Sequence, residues 1–367
     1  MAVLIFNLRP ALEATRESWT ARLDEMFARH QFILGPQVAE FECEFAGAMS
    51  AKYAVGVANG TDAIELCLRD AGLTSQKQEV ITTAITAPFS GIGIKAAGAR
   101  IRFADVNPKT LQIDADDLGN RISKKTAALM PVHLYGQPCE IARIASMARA
   151  ERLTLIQDAC QAHGATVAGK PFTAFGSYVA YSFYPTKNLG CLGDGGAIVT
   201  NRPAIHKRLR ELHDGGRRGG QVSHVAGINS RLDEMQACYL RAFLPRLTEW
   251  NDHRRRIARL YDEGLRDCPG VTLIERTADS VGHLYVIRAA RRDKLREALA
   301  AKSIGTGIHY PVPMHLHPAF AECGLRKGDL PHAEKACKEI LSLPVWPYLP
   351  DSSALEVVEA IRAFYRA

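Results

Sequence analysis

The sequence predicts an α/β protein with a mostly parallel sheet and a second, smaller α+β domain. Short apolar runs alternate with amphipathic stretches from residue 53 to residue 200, which is typical of strands joined by helices on both faces of a sheet. The 367 residues are enough for two domains. We expect a large domain over residues 1–250, with an amino-terminal helix, and a small domain over residues 251–367.

The elements of the large domain follow from their apolar spacing. Residues 12–30 and 37–49 repeat apolar side chains at helical intervals and predict two helices before the first strand. Strands are predicted at residues 53–57, 80–83, 101–106, 126–133 and 153–157, and in the apolar runs on either side of the segment 181–196. Further helices are predicted from Thr61, from Pro88, at 118–122, 141–152 and 204–212, and after Ser230. We expect Thr61 and Ser230 to be helix N-caps and Pro245 to kink the last of these helices.

The predicted small domain contains helices near residues 254–266, 291–302 and 352–365 and strands near 271–274 and 283–288. In a parallel sheet, ligands bind beyond the carboxyl ends of the strands. Thr61, Asp158 and Lys187 all lie at or just after such ends, so we expect the functional site there.

A lysine in a glycine-rich loop is the first candidate for chemistry. Lys187 lies near the middle of residues 181–196. A lysine that is partly desolvated at the mouth of a sheet can lose its proton near neutral pH and attack a carbonyl. The alternative is an ordinary solvated lysine in a turn, and the loop alone does not decide between them.

An aspartate at the end of another predicted strand favours the chemical interpretation. Asp158 ends the apolar run 153–157 and is followed by Gln161 and His163. A carboxylate at this position can hold a proton on a pyridine nitrogen. A pyridoxal 5'-phosphate (PLP) site needs such an acid together with a lysine that forms a Schiff base.

A possible phosphate site precedes the helix that begins near Thr61. Gly60 and Thr61 would present free N–H groups at the start of this helix, which is favourable for a phosphate. Thr61 could equally act as a helix cap and nothing more.

Composition argues against several classes of protein. Lys and Arg exceed Asp and Glu by 46 − 39 = 7, a modest excess that suits an anionic ligand. There is no helix-turn-helix, zinc-finger or RNA-binding signature, so we do not expect nucleic acid as a partner. No apolar run approaches the roughly 20 residues of a membrane span, and residues 1–10 lack a signal-peptide pattern. We therefore expect a cytoplasmic protein that does not bind a membrane.

Cysteine and histidine spacing does not indicate a metal site. None of the nine cysteines forms a Cys-x-x-Cys pair, and we predict reduced, mostly buried thiols. His315 and His317 have no carboxylate or cysteine nearby at ligand spacing, so we predict no bound metal.

Together, these motifs resemble those of the DegT/DnrJ/EryC1/StrS sugar aminotransferases, from about residue 32 to the end of the chain. The resemblance rests on residues 59–63, 131–136, 158–164, 182–190, 227–233 and 309–311, which occur in the family's order. It implies the fold of aspartate aminotransferase (fold type I), with a seven-stranded sheet in the large domain. It also implies PLP as the cofactor and a homodimer with shared active sites.

The resemblance assigns roles to individual residues. Lys187 would hold the cofactor as a Schiff base and later transfer a proton, Asp158 would pair with the pyridine nitrogen, and Gln161 would lie close to the ring and its hydroxyl. The phosphate would be bound by Gly60, Thr61, Ser182 and, reaching into the neighbouring subunit, Asn229. The residues that would contact the substrate are Phe89, Tyr184, Arg231, His309 and Tyr310.

The lysine loop also predicts the position that is aminated. Residues 184–196 resemble the members that act on 3-keto sugars more than those that act on 4-keto sugars. We therefore expect transfer of the amino group of L-glutamate to carbon 3 of a nucleotide-linked keto-hexose. Ala87 departs from the family, because many relatives have an aromatic residue there that stacks on the cofactor ring. Phe89 or a smaller group would have to cover that face.

Three other functions remain open. An aminotransferase for a 4-keto sugar or a keto-cyclitol would keep every cofactor residue, and only the amino acceptor distinguishes it. Dehydratases on the same scaffold have a histidine in place of Lys187, which argues against that activity. A non-catalytic homologue that binds a sugar nucleotide would not need Lys187 at all.

Overall fold

Seven strands form the central sheet of the protein, seen here in a computed structural model that describes residues 2–366. They are β1 (Tyr53–Val57), β2 (Glu79–Thr83), β3 (Arg100–Ala104), β4 (Thr126–Met130), β5 (Thr154–Asp158), β6 (Tyr178–Ser182) and β7 (Gly196–Thr200). Their order is β1-β7-β6-β5-β4-β2-β3, with β7 antiparallel to both neighbours and the other neighbouring pairs parallel. The predicted seven-stranded, mostly parallel sheet is confirmed.

Ten helices accompany this sheet in the part of the chain up to residue 265. They are α1 (Arg9–Ala14), α2 (Arg16–Arg29), α3 (Pro36–Ala48), α4 (Gly60–Asp70), α5 (Pro88–Ala97), α6 (Ala115–Asn120), α7 (Ile141–Ala150), α8 (Pro203–Leu212), α9 (Glu234–Phe243) and α10 (Leu247–Leu265). A 3₁₀ turn that contains Pro245 separates α9 from α10, because proline has no N–H to continue the helix. The predicted interruption at this proline is confirmed.

Helices cover both faces of the sheet because consecutive strand residues point to opposite faces and the residues on both faces are apolar. On β7, Ile198 packs in one buried cluster, while Ala197 and Val199 pack in the cluster on the opposite face. On β6, Ala180 and Tyr181 divide in the same way. The core therefore lies on both sides of the sheet, and its strand ends are held rigidly.

A second, three-stranded antiparallel sheet lies in the carboxyl-terminal part. Its strands are β8 (Val271–Leu273), β9 (Tyr285–Ala289) and β10 (Ile340–Leu343), in the order β10-β9-β8, and its helices are α11 (Arg292–Ala301), α12 (Pro331–Glu339) and α13 (Asp351–Arg366). The prediction omitted α12 and β10. The run of β10 follows directly on the helical pattern of α12, and all four of its residues are buried, so it has no alternation to identify it.

The amino-terminal segment joins this carboxyl-terminal part. Val3 forms a parallel bridge with Ile304 and packs in the same buried cluster as α13. Helix α10 continues through residues 250 and 251, which form the predicted boundary between the two domains. The division into residues 1–250 and 251–367 stays a prediction.

Both predicted N-caps are wrong. The Oδ1 atom of Asn59 accepts the Asp62 N–H at 2.9 Å and caps α4, because Asn59 has the extended backbone that a cap requires. Helix α9 begins at Glu234, and the Ser230 Oγ atom instead accepts the Ala58 N–H at 3.0 Å. Each hydroxyl was one residue or more away from the true start of its helix.

Within residues 2–366, no helix combines the length and the apolar content needed to cross a bilayer.

Candidate active site

The carboxyl ends of β1, β5 and β6 open into a cavity of about 820 Å³. It is lined by Gly60, Thr61, Phe89, Asp158, Gln161, Ser182, Tyr184, Lys187, His309 and Tyr310, among others. These are all of the predicted site residues except Asn229 and Arg231. The fold therefore brings together residues from five separate stretches of the sequence.

Lys187 lies in a short loop that the rest of the molecule holds in place. Its N–H donates to the Tyr184 carbonyl at 2.8 Å. The neighbouring amide of Asn188 is buried and donates to Asn251 Oδ1 at 2.8 Å and to the Val281 carbonyl at 3.0 Å. A Cβ atom at Gly190 would lie 2.6 Å from the Pro185 carbonyl oxygen, so only glycine fits at that turn.

The environment of Lys187 favours a neutral amine. Desolvation in the cavity lowers the pKa of the ammonium group, and the nearby Cys160 and Asp158 oppose that shift in part. An amine with a lowered pKa is a nucleophile at lower pH than an ordinary lysine. This environment distinguishes Lys187 from a solvated lysine in a turn.

Asp158 is buried at the end of β5, and every polar atom of it has a partner. Its backbone N–H donates to the Pro131 carbonyl and its carbonyl accepts the His133 N–H, each at 3.0 Å. Its Oδ2 atom accepts the Ser90 hydroxyl at 2.7 Å, and Oδ1 accepts the Cys160 N–H at 3.1 Å. The carboxylate is thus fixed in orientation while it still lines the cavity.

The start of α4 forms an anion seat at the same cavity. The N–H groups of Gly60 and Thr61 belong to the first turn, which has no intrahelical acceptors for them, and the helix dipole adds positive potential. Ser182 lies directly beside this turn, since a Cβ atom on Gly60 would come within 2.7 Å of the Ser182 Cβ. The absence of a side chain at Gly60 therefore lets Ser182 approach the start of α4 closely.

Gln161 connects two aromatic residues at the cavity wall. Its Oε1 atom accepts the Tyr135 N–H at 2.7 Å, and its Nε2 atom donates to the Tyr310 hydroxyl at 3.3 Å. The Tyr135 hydroxyl in turn donates to the His309 carbonyl, and His309 Nδ1 lies 2.8 Å from Ser342 Oγ. Burial raises the pKa of Tyr310, so this phenol is a neutral hydrogen-bonding group.

Asn229 and Arg231 lie outside the cavity of their own chain. Asn229 forms an antiparallel bridge with Asp214, and Arg231 Nη1 lies 3.0 Å from Asp214 Oδ1. Arg217 binds the same carboxylate at 2.5 Å. This arginine-bearing segment is therefore organised away from Lys187 of the same chain.

Several lining residues were not identified from the sequence. Ser90 and Asp194 line the cavity, and so do Ile5 and Phe6 from the amino terminus. No sequence pattern pointed to Ser90, whose partner Asp158 is 68 residues away. Asp194 lies within residues 181–196, the lysine loop, and its position there is a signal that could have identified it.

The donor set does not suit a metal. Within residues 2–366, no group of three or more His, Cys, Asp or Glu side chains is arranged to hold a metal ion. His315 Nε2 lies 3.2 Å from the buried Glu334 carboxylate.

This sheet order, with a desolvated lysine and a buried carboxylate at the strand ends, defines an aminotransferase of fold type I. The chain belongs to the DegT/DnrJ/EryC1/StrS aminotransferase family, whose sequence profile matches residues 13–362. It is therefore a sugar aminotransferase, as the sequence motifs predicted.

Two curated relatives cover almost the whole chain. The dTDP-3-amino-3,4,6-trideoxy-alpha-D-glucose transaminase of Streptomyces venezuelae is 40% identical over 98% of this chain and 95% of its own length. A pleiotropic regulatory protein of Geobacillus stearothermophilus is 40% identical over 100% of this chain and 99% of its own. The crystal structure of Streptomyces venezuelae DesV in complex with a ketimine intermediate matches with a TM-score of 0.97 and 39% identity, over 100% of this chain and 99% of that one.

Proposed function

We propose that this chain is a PLP-dependent aminotransferase that transfers the amino group of L-glutamate to carbon 3 of a nucleotide-linked keto-hexose. The observation that carries the proposal is one cavity that presents Lys187, Asp158 and the start of α4 together. These supply an amine, an acid for a ring nitrogen and a phosphate seat, which are the three groups that PLP requires.

The residues present fit this cofactor. The cavity is within the size range of cofactor sites, at about 820 Å³. Because Gly60 has no Cβ, Ser182 can pack directly against the first turn of α4, beside its free N–H groups. Gly60, Thr61 and Ser182 would hold the phosphate, Asp158 the ring nitrogen and Gln161 the ring hydroxyl.

When bound, PLP would accept the electrons of the carbon–hydrogen bond that breaks in each half-reaction. Lys187 Nζ would be the base that accepts the α-proton of L-glutamate and later gives it back. The lowered pKa of Lys187 suits this role, because the amine must be neutral to accept the proton. In the second half-reaction, the same nitrogen would move a proton in the opposite direction while the amino group taken from L-glutamate passes to the keto sugar.

Asp158 would hold the ring nitrogen of bound PLP and favour its protonated form. Two donors, the Ser90 hydroxyl and the Cys160 N–H, hold its carboxylate in one orientation. A fixed carboxylate at this position favours the cationic ring without having to reorganise during the reaction.

The acceptor is proposed from two features. The segment 184–196 has the sequence pattern of members that act on 3-keto sugars. The relative from Streptomyces venezuelae is named for a 3-amino sugar carried on dTDP. Phe89 and Tyr184 are more than half exposed at the cavity, where they can contact the sugar or its nucleotide.

A homodimer with shared sites is part of the proposal. Lys187 is the only lysine or arginine that lines the cavity within the described residues, yet L-glutamate carries two carboxylates and a nucleotide sugar carries a diphosphate. Asn229 and Arg231 do not line their own cavity, and in the proposed dimer they would help to complete that of a second copy. Exposed apolar side chains that could be buried between copies are Phe27, Phe32, Ile33 and Met235.

Half-reactions test the proposal directly. The purified protein, loaded with PLP and mixed with L-glutamate, should release one 2-oxoglutarate per site and change its visible spectrum. Nucleotide-linked 3-keto hexoses should then restore the original spectrum, whereas 4-keto hexoses and keto-inositols should not. Turnover with a 4-keto sugar or a keto-cyclitol alone would contradict C3 amination. Failure to react with glutamate would contradict the donor, and failure to bind PLP would contradict the mechanism.

A further inference from the structure

Two buried hydroxyl groups form a chain that ends on the Asp158 carboxylate. Ser90 Oγ lies 2.7 Å from Asp158 Oδ2, and Thr86 Oγ1 lies 3.1 Å from Ser90 Oγ. All three residues are at most 3% exposed and line the cavity. Ser90 stands in the first turn of α5 and Thr86 just before that helix, so the backbone fixes both hydroxyls.

The direction of the two hydrogen bonds follows from the number of protons. An ionised carboxylate can only accept, so the single proton of Ser90 must be donated to Asp158. Ser90 can then only accept from Thr86, which must be the donor in that pair. Both hydroxyl dipoles therefore point their positive ends toward the carboxylate and reinforce each other.

This arrangement leaves the carboxylate with capacity for one more strong donor. The Ser90 hydroxyl occupies one position on Oδ2 and the Cys160 N–H one position on Oδ1. A carboxylate has about four lone-pair positions. A donor in the cavity, such as a protonated ring nitrogen, can take one that remains.

We propose that Thr86 and Ser90 are positioning residues that orient Asp158 and keep its negative charge opposite the cofactor ring nitrogen. This inference rests on the proposed function, because it requires that Asp158 holds the ring nitrogen of PLP. Donors to a carboxylate favour its charged form, so loss of the Ser90 hydroxyl makes the carboxylate a stronger competitor for the ring proton. The ring is then less often cationic, and it binds less tightly and withdraws electrons less well.

The test compares four variants loaded with PLP. We expect Ser90→Ala to weaken PLP binding by the apoprotein about tenfold or more, as for loss of a hydrogen bond to a charged group. We also expect it to shift the pH titration of the bound cofactor's visible absorption and to slow the glutamate half-reaction. Ser90→Thr retains the hydroxyl and should restore all three measurements, while Thr86→Val should show a smaller effect of the same kind.

Thr82→Val provides the matched control. Thr82 is a fully buried threonine on β2 whose Oγ1 has no hydrogen-bond partner within the described residues. This variant removes a buried hydroxyl that does not reach Asp158, so PLP affinity and the pH titration should not change. If Ser90→Ala does not fold, Thr86→Val and Ser90→Thr carry the same comparison.

The outcomes separate this inference from the proposed function. If the unmodified protein binds PLP but Ser90→Ala has the same affinity and pH titration, the inference is wrong and the function stands. It is also wrong if Ser90→Thr is as impaired as Ser90→Ala, because shape and not the hydroxyl would then matter. If the unmodified protein does not bind PLP, both the function and the inference are wrong.

Discussion

At the scale of single residues, Lys187 is set apart by its surroundings more than by its neighbours in sequence. A lysine in a glycine-rich turn is an ordinary feature, but here desolvation lowers the pKa of the ammonium group. The carboxylate of Asp158 is near enough to oppose this shift and lines the same cavity. The fold therefore places the amine of Lys187 and the carboxylate of Asp158 in one cavity, where they can take part in Schiff-base and proton-transfer chemistry.

Replacement of that amine gives the first prediction. Lys187→Ala should fold but lack the visible absorption band of a lysine-bound cofactor. Its transaminase activity should fall by at least about 10³-fold, since the variant loses both the covalent link and the base. Absorption spectra and turnover with L-glutamate measure this. Lys170→Ala, at an exposed lysine, is the control, and full activity in Lys187→Ala would refute the assignment.

At the scale of elements, the lysine loop depends on close contacts that only glycine allows. Gly190 has the carbonyl oxygens of Pro185 and Tyr184 within 2.9 Å of where a Cβ would stand. Asn188 ties the same loop to α10 and to the segment before β9. The position of Lys187 is thus set by several elements together.

We expect Gly190→Ala to move this loop. The added methyl group should lower the free energy of unfolding by about 1–3 kcal/mol, as in other overpacked sites, and reduce PLP uptake. Urea denaturation and PLP titration measure the two effects. Gly220→Ala is the matched control, because nothing lies within 4 Å of a Cβ there. If the two variants have the same stability and the same PLP uptake, the lysine loop accommodates the added methyl group without strain.

The packing behind β6 makes stability depend on pH. His163 is fully buried against Tyr181 and Phe183, and neither ring nitrogen has a partner within the described residues. Burial lowers the pKa of His163 to about 3, below the 6.5 of an ordinary histidine. The unfolded chain therefore binds this proton first, so stability is present above pH 6.5 and is lost as the pH falls toward 3.

Removal of this titratable group should make the free energy of unfolding decrease less as the pH falls. In His163→Phe, the loss of unfolding free energy between pH 7 and pH 4 should be smaller than in the unmodified protein by roughly 1–3 kcal/mol. Urea denaturation at both pH values is the measurement. His332→Gln, at an exposed histidine, should leave the pH dependence unchanged. If His163→Phe loses as much unfolding free energy between pH 7 and pH 4 as the unmodified protein, other groups control the pH dependence of stability.

At the scale of the whole molecule, one chain holds an incomplete set of charges. Its cavity contains a single lysine and no arginine among the described residues, while Asn229 and Arg231 are arranged around Asp214 elsewhere. Two copies that exchange these segments would supply the missing cations to both sites. The proposed homodimer would therefore supply positive charge that the cavity of one chain lacks.

Mixing two impaired variants tests this sharing. Lys187→Ala lacks the amine, and Asn229→Asp places a negative charge beside the phosphate of the second copy. Each alone should have little activity. After subunit exchange, about half of the dimers are mixed and each has one intact site, so activity should return to about a quarter of the unmodified value. If mixing restores nothing while native mass spectrometry shows mixed dimers, Asn229 does not act across the interface.

The sequence was sufficient for the periodic parts of the fold and for most of the predicted site residues that line the cavity. The seven strands and most of the helices were identified because one face or both faces of each must be apolar. It was less informative where local signals compete. Asn59 and Thr61 are both good cap residues, and only the extended backbone of Asn59 decided which one caps α4.

By itself, the sequence determined the α/β class, the family and the pairing of Lys187 with Asp158, because these depend on local periodicity and on short motifs. Only the tertiary structure decided which side chains complete the cavity. Ser90 reaches Asp158 across 68 residues, and Phe6 enters the site because Val3 bridges to Ile304. Such contacts depend on how distant elements pack, and no pattern within a single segment of the chain encodes them.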